Sequence, residues 1–321
     1  MLTKPTYFIK VWDEAYPDVY GVGECGLFPG LSCDDVPDYE ERLSLALIDP
    51  EGTDLNAYPS IRMGLTTALR DLAGGGHRIP WDSYWTRTGE GIPINGLIWM
   101  GSKEQMAERI REKIADRFRC IKLKIGGIDF NQEIELLRYL RGLFPSDQLE
   151  IRLDANGAFS PDNALARLEA LSWFDIHSIE QPIRQGQWAQ MAHVCKESPI
   201  PVALDEELIG VNDPELRRQM IEFIHPRYVI LKPTLCGGFE GADHWIELAE
   251  ASGIGWWATS ALESNIGLNA IAQWVAAKGI PAMVQGLGTG NLYLNNIPSP
   301  IYLRGDRLYY NQEGKWQLPT I

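Results

Sequence analysis

Six residues mark the ends of short apolar runs at nearly constant intervals: Lys124, Asp154, Glu180, Asp205, Lys232 and Ser260 follow one another 25 to 30 residues apart. The runs they close read as strands: Cys120 to Ile125, Leu149 to Asp154, Ser178 to Glu180, Pro201 to Asp205, Tyr228 to Lys232 and Trp256 to Ser260. Between them lie segments with helical spacing, such as Phe130 to Leu143, and Ser160-Pro161 has the cap-then-proline pattern of a helix start. Asn95 to Met100 opens the series and Ala282 to Gln285 closes it. Strand–helix alternation implies parallel pairing through right-handed crossovers. About eight units in roughly 200 residues fit a closed α/β barrel better than an open sheet. Barrel enzymes gather their chemistry at the C-terminal rim of the strands, where these six residues fall.

The spacing within strands says which way the charges point. Lys122 and Lys124 are two apart, so they share a face, and Ile121, Leu123 and Ile125 take the other. Both lysines are expected inside the barrel, where each crowds the other; a crowded ammonium has a lowered pKa and can serve as a base. Lys232 ends the strand across the barrel. Asp154, Glu180 and Asp205 on successive strand ends suggest oxygen ligands for a hard divalent cation, Mg²⁺ first; the plainer alternative is that each caps the following helix. Arg152, on the face of Asp154, pairs with an acidic neighbour or binds a substrate carboxylate, and Asn156 fixes a ligand water or a neighbouring side chain.

The rest of the sequence limits the classes of function. Forty-three acidic against 29 basic residues give a formal charge of −14, which argues against nucleic acid or an anionic membrane as partner. No apolar run reaches the ~18 residues a membrane span needs, and Met1 to Pro5 lacks the apolar core of a signal peptide. Five scattered cysteines without a CxxC read as reduced thiols, so a cytoplasmic protein is expected. Gly21-Val22-Gly23-Glu24-Cys25-Gly26 matches GxGxxG, but Leu27-Phe28-Pro29-Gly30 follows where a dinucleotide site needs a helix. The five histidines show no zinc spacing, and no cofactor other than the metal is expected. Outside the barrel, strands at Tyr7 to Trp12 and Tyr20 to Glu24, a helix at Ile61 to Leu72, and strands at Leu303 to Tyr310 and Trp316 to Leu318 around a turn at Asn311 to Gly314 suggest that the two ends join in one small α+β domain.

Lys122-Leu123-Lys124, Asp154, Glu180 in IEQP, Asp205 in LDE, and Lys232 in LKPTLCGG together resemble the enolase superfamily in its muconate-lactonising branch. Within that branch the chain is most similar to the o-succinylbenzoate synthase family, through Gly23-Glu24-Cys25, Pro29-Gly30 and Ser260 to Leu268. The resemblance implies an α/β fold, a modified (β/α)7β TIM-type barrel (92–290), with an α+β capping domain from the N-terminus (1–91) and a C-terminal segment (291–321) returning to it. It implies Mg²⁺, replaceable by Mn²⁺, on Asp154, Glu180 and Asp205. Catalysis would fall to Lys124, Lys232 and Lys122, with Ser260, Ser264, Gly288, Arg152 and Asn156 at a small carboxylate substrate. The implied reaction is dehydration of a succinyl-hydroxycyclohexadiene carboxylate. The family carries a further cap strand and loop before Thr3, so either a start upstream of Met1 or a short member is expected. Racemisation of N-succinylamino acids and dipeptide epimerisation are the alternatives, the latter disfavoured because Leu287 to Gly290 holds no carboxylate. A non-catalytic ligand-binding barrel is a third.

Overall fold

Alternating branched and charged residues build the central sheet of the computed structural model, which describes residues 4–290, 292–293 and 295–318. The extreme ends of the expected 1–91 and 291–321 segments thus lie outside the described residues. The cap holds β1 (Tyr7–Trp12), β2 (Tyr20–Cys25), α1 (Tyr39–Ile48) and α2 (Pro59–Ala73); α3 (Tyr84–Thr88) and β3 (Ile92–Pro93) lead into the barrel. There follow β4 (Gly96–Ile98), α4 (Lys103–Ala115), β5 (Cys120–Lys124), α5 (Phe130–Leu143), β6 (Glu150–Asp154), α6 (Pro161–Ser172) and β7 (Ser178–Glu180). The circuit continues with α7 (Trp188–Glu197), β8 (Val202–Leu204), α8 (Pro214–Ile224), β9 (Tyr228–Leu231), α9 (Gly238–Ala251), β10 (Gly255–Ala258) and α10 (Asn265–Ala277). The hairpin β11 (Ile301–Arg304) and β12 (Arg307–Tyr310) comes last. Among the described residues no helix is long and apolar enough to cross a membrane.

β4 to β10 form one parallel sheet in chain order. Ile121, Leu123, Ile151 and Leu153 point outward into the large core beneath the helices. The register sets Lys124 beside Asp154 and Asp154 beside Glu180, so the charged ends lie in one layer. The sheet closes through isolated bridges, Ile94 to Gln285 and Thr259 to Gly286. The eighth position is therefore shorter than the strand expected over 282–285. Its ladder is replaced in part by the Gln285 side chain, whose Oε1 accepts from the Ala258 N–H (2.8 Å) and whose Nε2 donates to the Met283 carbonyl (2.7 Å). Ala203, Ile230 and Trp257 plug the floor of the barrel.

The GxGxxG segment has a packing role. A Cβ on Gly21 would lie 1.9 Å from the Ala68 carbonyl oxygen, and one on Gly23 1.8 Å from that of Gly64, so β2 can lie on α2 only without side chains there. The cap is fastened to the barrel by buried Glu24, which accepts from the N–H groups of Ser264 and Gly267 (2.9 Å each) and from Ser264 Oγ (2.5 Å) at the start of α10. At the C-terminus the turn expected at 311–314 forms, the Gly314 N–H donating to the Asn311 carbonyl (3.0 Å), but the strand expected over 303–310 is a hairpin that turns at Gly305-Asp306, where Gly305 takes the left-handed backbone (φ 59°) a tight hairpin needs. It pairs with β3, not with β1 or β2. Trp316 and Leu318 form no strand but pack beside Phe8 and Tyr20 of the cap.

Candidate active site

Lys122 and Lys124 enter from β5, Asp154 from β6, Glu180 from β7, Asp205 just past β8 and Lys232 just past β9. Lys122 Nζ bridges Glu180 Oε1 (2.6 Å) and Asp154 Oδ2 (2.9 Å). Lys124 Nζ binds the same Asp154 oxygen (3.0 Å) and Asn156 Oδ1 (2.6 Å), and sits over the Trp99 ring at 5.4 Å. Lys232 Nζ pairs with Asp205 Oδ2 at 2.5 Å. Asn156 Nδ2 donates to Glu206 Oε1 (2.8 Å), so Asn156 fixes neighbouring side chains on both sides. None of the three acidic residues has a helix cap as its role: Asp205 precedes a single 3₁₀ turn and makes no side-chain cap bond to it.

Burial and close charges polarise this ring. Burial raises Glu180 well above the carboxylate range, and neighbouring Asp154 pushes the same way. For Asp154 burial acts upward, but Lys122 and Lys124 outweigh it and hold it far below the usual value. Glu206 is pushed up to about 7 by burial and Asp205. Lys122 departs from the crowding expectation: burial acts downward, yet the charges of Asp154, Glu180 and Asp205 prevail and keep it above the ordinary lysine value. Lys232 is raised similarly, burial being overcome by Asp205 and Glu206.

Among the described residues no three acidic, cysteine or histidine groups are placed together as a cation cage; lysine ammoniums engage the carboxylates instead. The donor set nonetheless fits a divalent cation. It is all hard oxygen on consecutive strands, and buried Glu180 Oε2 has no hydrogen-bond partner among the described residues.

The ring faces a cavity of about 180 Å³. Ser260 and Gly288 line it with Lys122, Lys124, Asp154, Asn156 and Lys232. Two of the substrate-contact expectations place elsewhere. Arg152 lies in the layer below, donating to Glu150 Oε1 (2.6 Å) and the Val284 carbonyl (2.8 Å) and stacked on Trp257 at 4.2 Å; the acidic-neighbour alternative describes it. Ser264 caps α10 and binds Glu24, outside this cavity. Sequence reasoning did not single out Phe28 and Leu31, which the cap loop lays over the cavity, nor Trp99, Asn95 and Thr289 on its wall. It also missed Gln181, fully buried with φ 40°, whose Oε1 accepts from the N–H groups of Asp205 and Glu207 (3.2 Å each). The sequence did carry a signal for the cap contacts: Phe28-Pro29-Gly30 follows β2 directly.

Comparison with known proteins gives three findings. Residues 105–292, more than half the chain, match the family described as "Enolase C-terminal domain-like". The chain is 46% identical to an o-succinylbenzoate synthase from Desulfotalea psychrophila, over 96% of this chain and 92% of that protein. The crystal structure of MenC from the same organism superposes with a TM-score of 0.83 at 45% identity, covering 95% of this chain and 94% of the other. Muconate lactonizing enzyme from Pseudomonas putida shares the fold at TM-score 0.78 and 20% identity, over 97% of this chain and 92% of its own.

Proposed function

The chain belongs to the enolase superfamily, in its o-succinylbenzoate synthase family, and on that premise we propose that it dehydrates 2-succinyl-6-hydroxy-2,4-cyclohexadiene-1-carboxylate to o-succinylbenzoate, as a lyase of menaquinone biosynthesis acting in the cytoplasm. The observation that carries the mechanism is the pair Lys124 and Lys232, set on strands four positions apart in an eight-position barrel and so facing each other across the cavity.

Enolase-superfamily enzymes use a divalent metal. Here Asp154, Glu180 and Asp205 would hold Mg²⁺, or Mn²⁺ in its place, and the ion would supply positive charge where the substrate carboxylate becomes more negative. Lys124, as the free amine, takes the proton from the carbon next to that carboxylate. The electrons of the broken C–H bond move toward the carboxylate, then return to form the ring double bond as the C–O bond breaks. Lys124 gives its proton to the departing hydroxyl, which leaves as water from the same face. Lys232 stays protonated on the opposite face and balances the spreading charge, and Lys122 holds Asp154 and Glu180 in place. The aromatic product makes the loss of water favourable.

A second reading has one observation behind it. Two lysines on opposite faces also suit racemisation of an N-succinylamino acid, which needs a base on each side. Purified protein with Mg²⁺ should convert the cyclohexadiene substrate to o-succinylbenzoate. Rapid washout of the α-proton from both enantiomers of an N-succinylamino acid in deuterated solvent, with no dehydration, would favour the racemase instead.

A further inference from the structure

Counted around the barrel from β4 as the first position, the acidic residues occupy the third to fifth, the lysines the second and sixth, and the segment Gln285–Gly286 the eighth. The seventh, eighth and first positions therefore face the acidic side across the cavity. Among the described residues no charged side chain lines the cavity on that wall; the side chains with polar atoms are Asn95, Trp99, Thr259, Ser260 and Thr289.

Two of these five hold hydrogen bonds of their own. Thr259 Oγ1 donates to the Gly286 carbonyl (2.9 Å). Ser260 Oγ donates to Glu263 Oε2 (2.7 Å) and accepts from the Leu262 N–H (2.8 Å). The other three have polar atoms without a hydrogen-bond partner among the described residues, Trp99 Nε1, Asn95 Oδ1 and Thr289 Oγ1; the Trp99 ring lies under Lys124 Nζ at 5.4 Å, while Asn95 and Thr289 are only 4% exposed. Buried polar atoms are nearly always paired, so unpartnered atoms gathered on one cavity wall call for a ligand, and away from the lysines the two side chains that carry them are Asn95 and Thr289. Gly288 brings them together. A Cβ there would come within 3.3 Å of Ile94 Cδ1 and 3.4 Å of the Asn95 carbonyl oxygen, and its absence lets the 286–289 loop lie against the first strand.

We propose that Asn95 and Thr289 form a neutral donor subsite for the second carboxylate of a dicarboxylate substrate, at the end of the cavity away from the acidic ring. A half-turn of the amide presents the Asn95 NH₂ group, and the Thr289 hydroxyl donates beside it. Neutral donors suit this place. They fix the tail without adding a cation that would compete with Lys124 and Lys232 for the reacting carboxylate. The Ser260 hydroxyl, held by Glu263 and Leu262, shapes the wall instead of binding the tail.

The inference rests on the synthase reading, and the test separates the two. Turnover is measured for wild type, Thr289→Val, Thr289→Ser and Asn95→Leu with Mg²⁺, together with inhibition by o-succinylbenzoate, which has the tail, and by benzoate, which lacks it. Thr289→Val and Asn95→Leu should each weaken o-succinylbenzoate about 10-fold, as expected for a lost hydrogen bond to a charged group, and raise KM in parallel. Benzoate inhibition should stay within about twofold, since it reports the pocket without the tail contact, and Thr289→Ser, which keeps the hydroxyl, should stay near wild type. If wild type turns the substrate over and the variants bind both inhibitors as wild type does, or lose both equally, the subsite is wrong and the synthase reading stands. If wild type does not turn the substrate over, both fall.

Discussion

Two charged clusters occupy the inside of the same barrel, one layer apart, and they are opposite in kind. On the floor, Arg152 is closed off by Glu150, the Val284 carbonyl and the Trp257 ring, and His177 stacks on Tyr228 at 5.1 Å while its Nδ1 meets Ser178 Oγ at 3.0 Å. At the rim, carboxylates and ammoniums are crowded into one layer and still leave Glu180 Oε2 and Glu206 Oε2 without partners among the described residues. The floor is a satisfied network, which rigidifies the barrel. The rim is an unsatisfied one, which in a native protein marks a place for a ligand. A buried charge therefore does not by itself mark a site. What separates the clusters is whether their hydrogen-bonding capacity is used up.

The sharpest way to break this contrast is metal removal. Exhaustive chelation should cut activity at least ~10²-fold, because stabilisation of the developing charge is lost, and Mg²⁺ or Mn²⁺ should restore it. Asp205→Asn should weaken Mn²⁺ binding, read by calorimetry, at least ~10-fold, the scale on which even supporting groups act. Undiminished turnover by metal-free protein would remove the rim's role as a cation site. Next in size is Lys232. Lys232→Ala should lose about 10²-fold in kcat, the scale of one lost stabilising group. Lys232→Arg keeps the charge and should retain more dehydration where the pocket accepts the guanidinium, while losing racemisation.

The floor should answer to a different measurement. Arg152→Met should lower stability in urea by about 1–3 kcal/mol, the cost of leaving polar partners unpaired, and change kcat only a few-fold. A loss of kcat comparable to that of Lys232→Ala would put Arg152 in the site after all. The smallest effect is a pH dependence. Burial lowers the pKa of His177, and the Arg152 charge acts the same way. A base whose folded pKa is depressed favours folding while neutral, so this stability is complete above the ordinary histidine value of about 6.5 and declines below it. Glu150 is also lowered: burial acts upward but Arg152 and His177 prevail. Its contribution is present above about 4.3 and falls away in stronger acid. His177→Gln should flatten the dependence of Tm on pH between about 6.5 and 5, and an unchanged slope would show that this ring does not carry it.

The rim was legible in the sequence because period-two alternation and one βα unit per charged residue constrain direction and place together: Lys122 with Lys124, then Asp154, Glu180, Asp205 and Lys232 arrive where the spacing puts them. The same alternation could not separate Asp154 from Arg152. Both face inward, and only the depth of Trp257 decides which one meets the cavity. Ser264 was misread for a related reason, since its partner Glu24 lies 240 residues away in the sequence. The eighth strand falls short of its expected length because side-chain bonds of Gln285 stand in for a ladder, and the strand expected over 303–310 folds back on itself because Gly305 takes the left-handed backbone of a tight turn. The cap contacts Phe28 and Leu31 depend on how two parts of the chain dock, which local pattern does not encode.

The central claim is that Lys124 moves the proton and Lys232 only supports the charge. It is tested most directly by measuring kcat for dehydration in Lys124→Ala and Lys232→Ala side by side, with saturating Mg²⁺ and with folding checked by circular dichroism. The account predicts that Lys124→Ala falls at least ~10³-fold, because the only base on the reacting face is gone, and that it falls further than Lys232→Ala. Near-normal dehydration by Lys124→Ala with an inactive Lys232→Ala would contradict it and reverse the two faces.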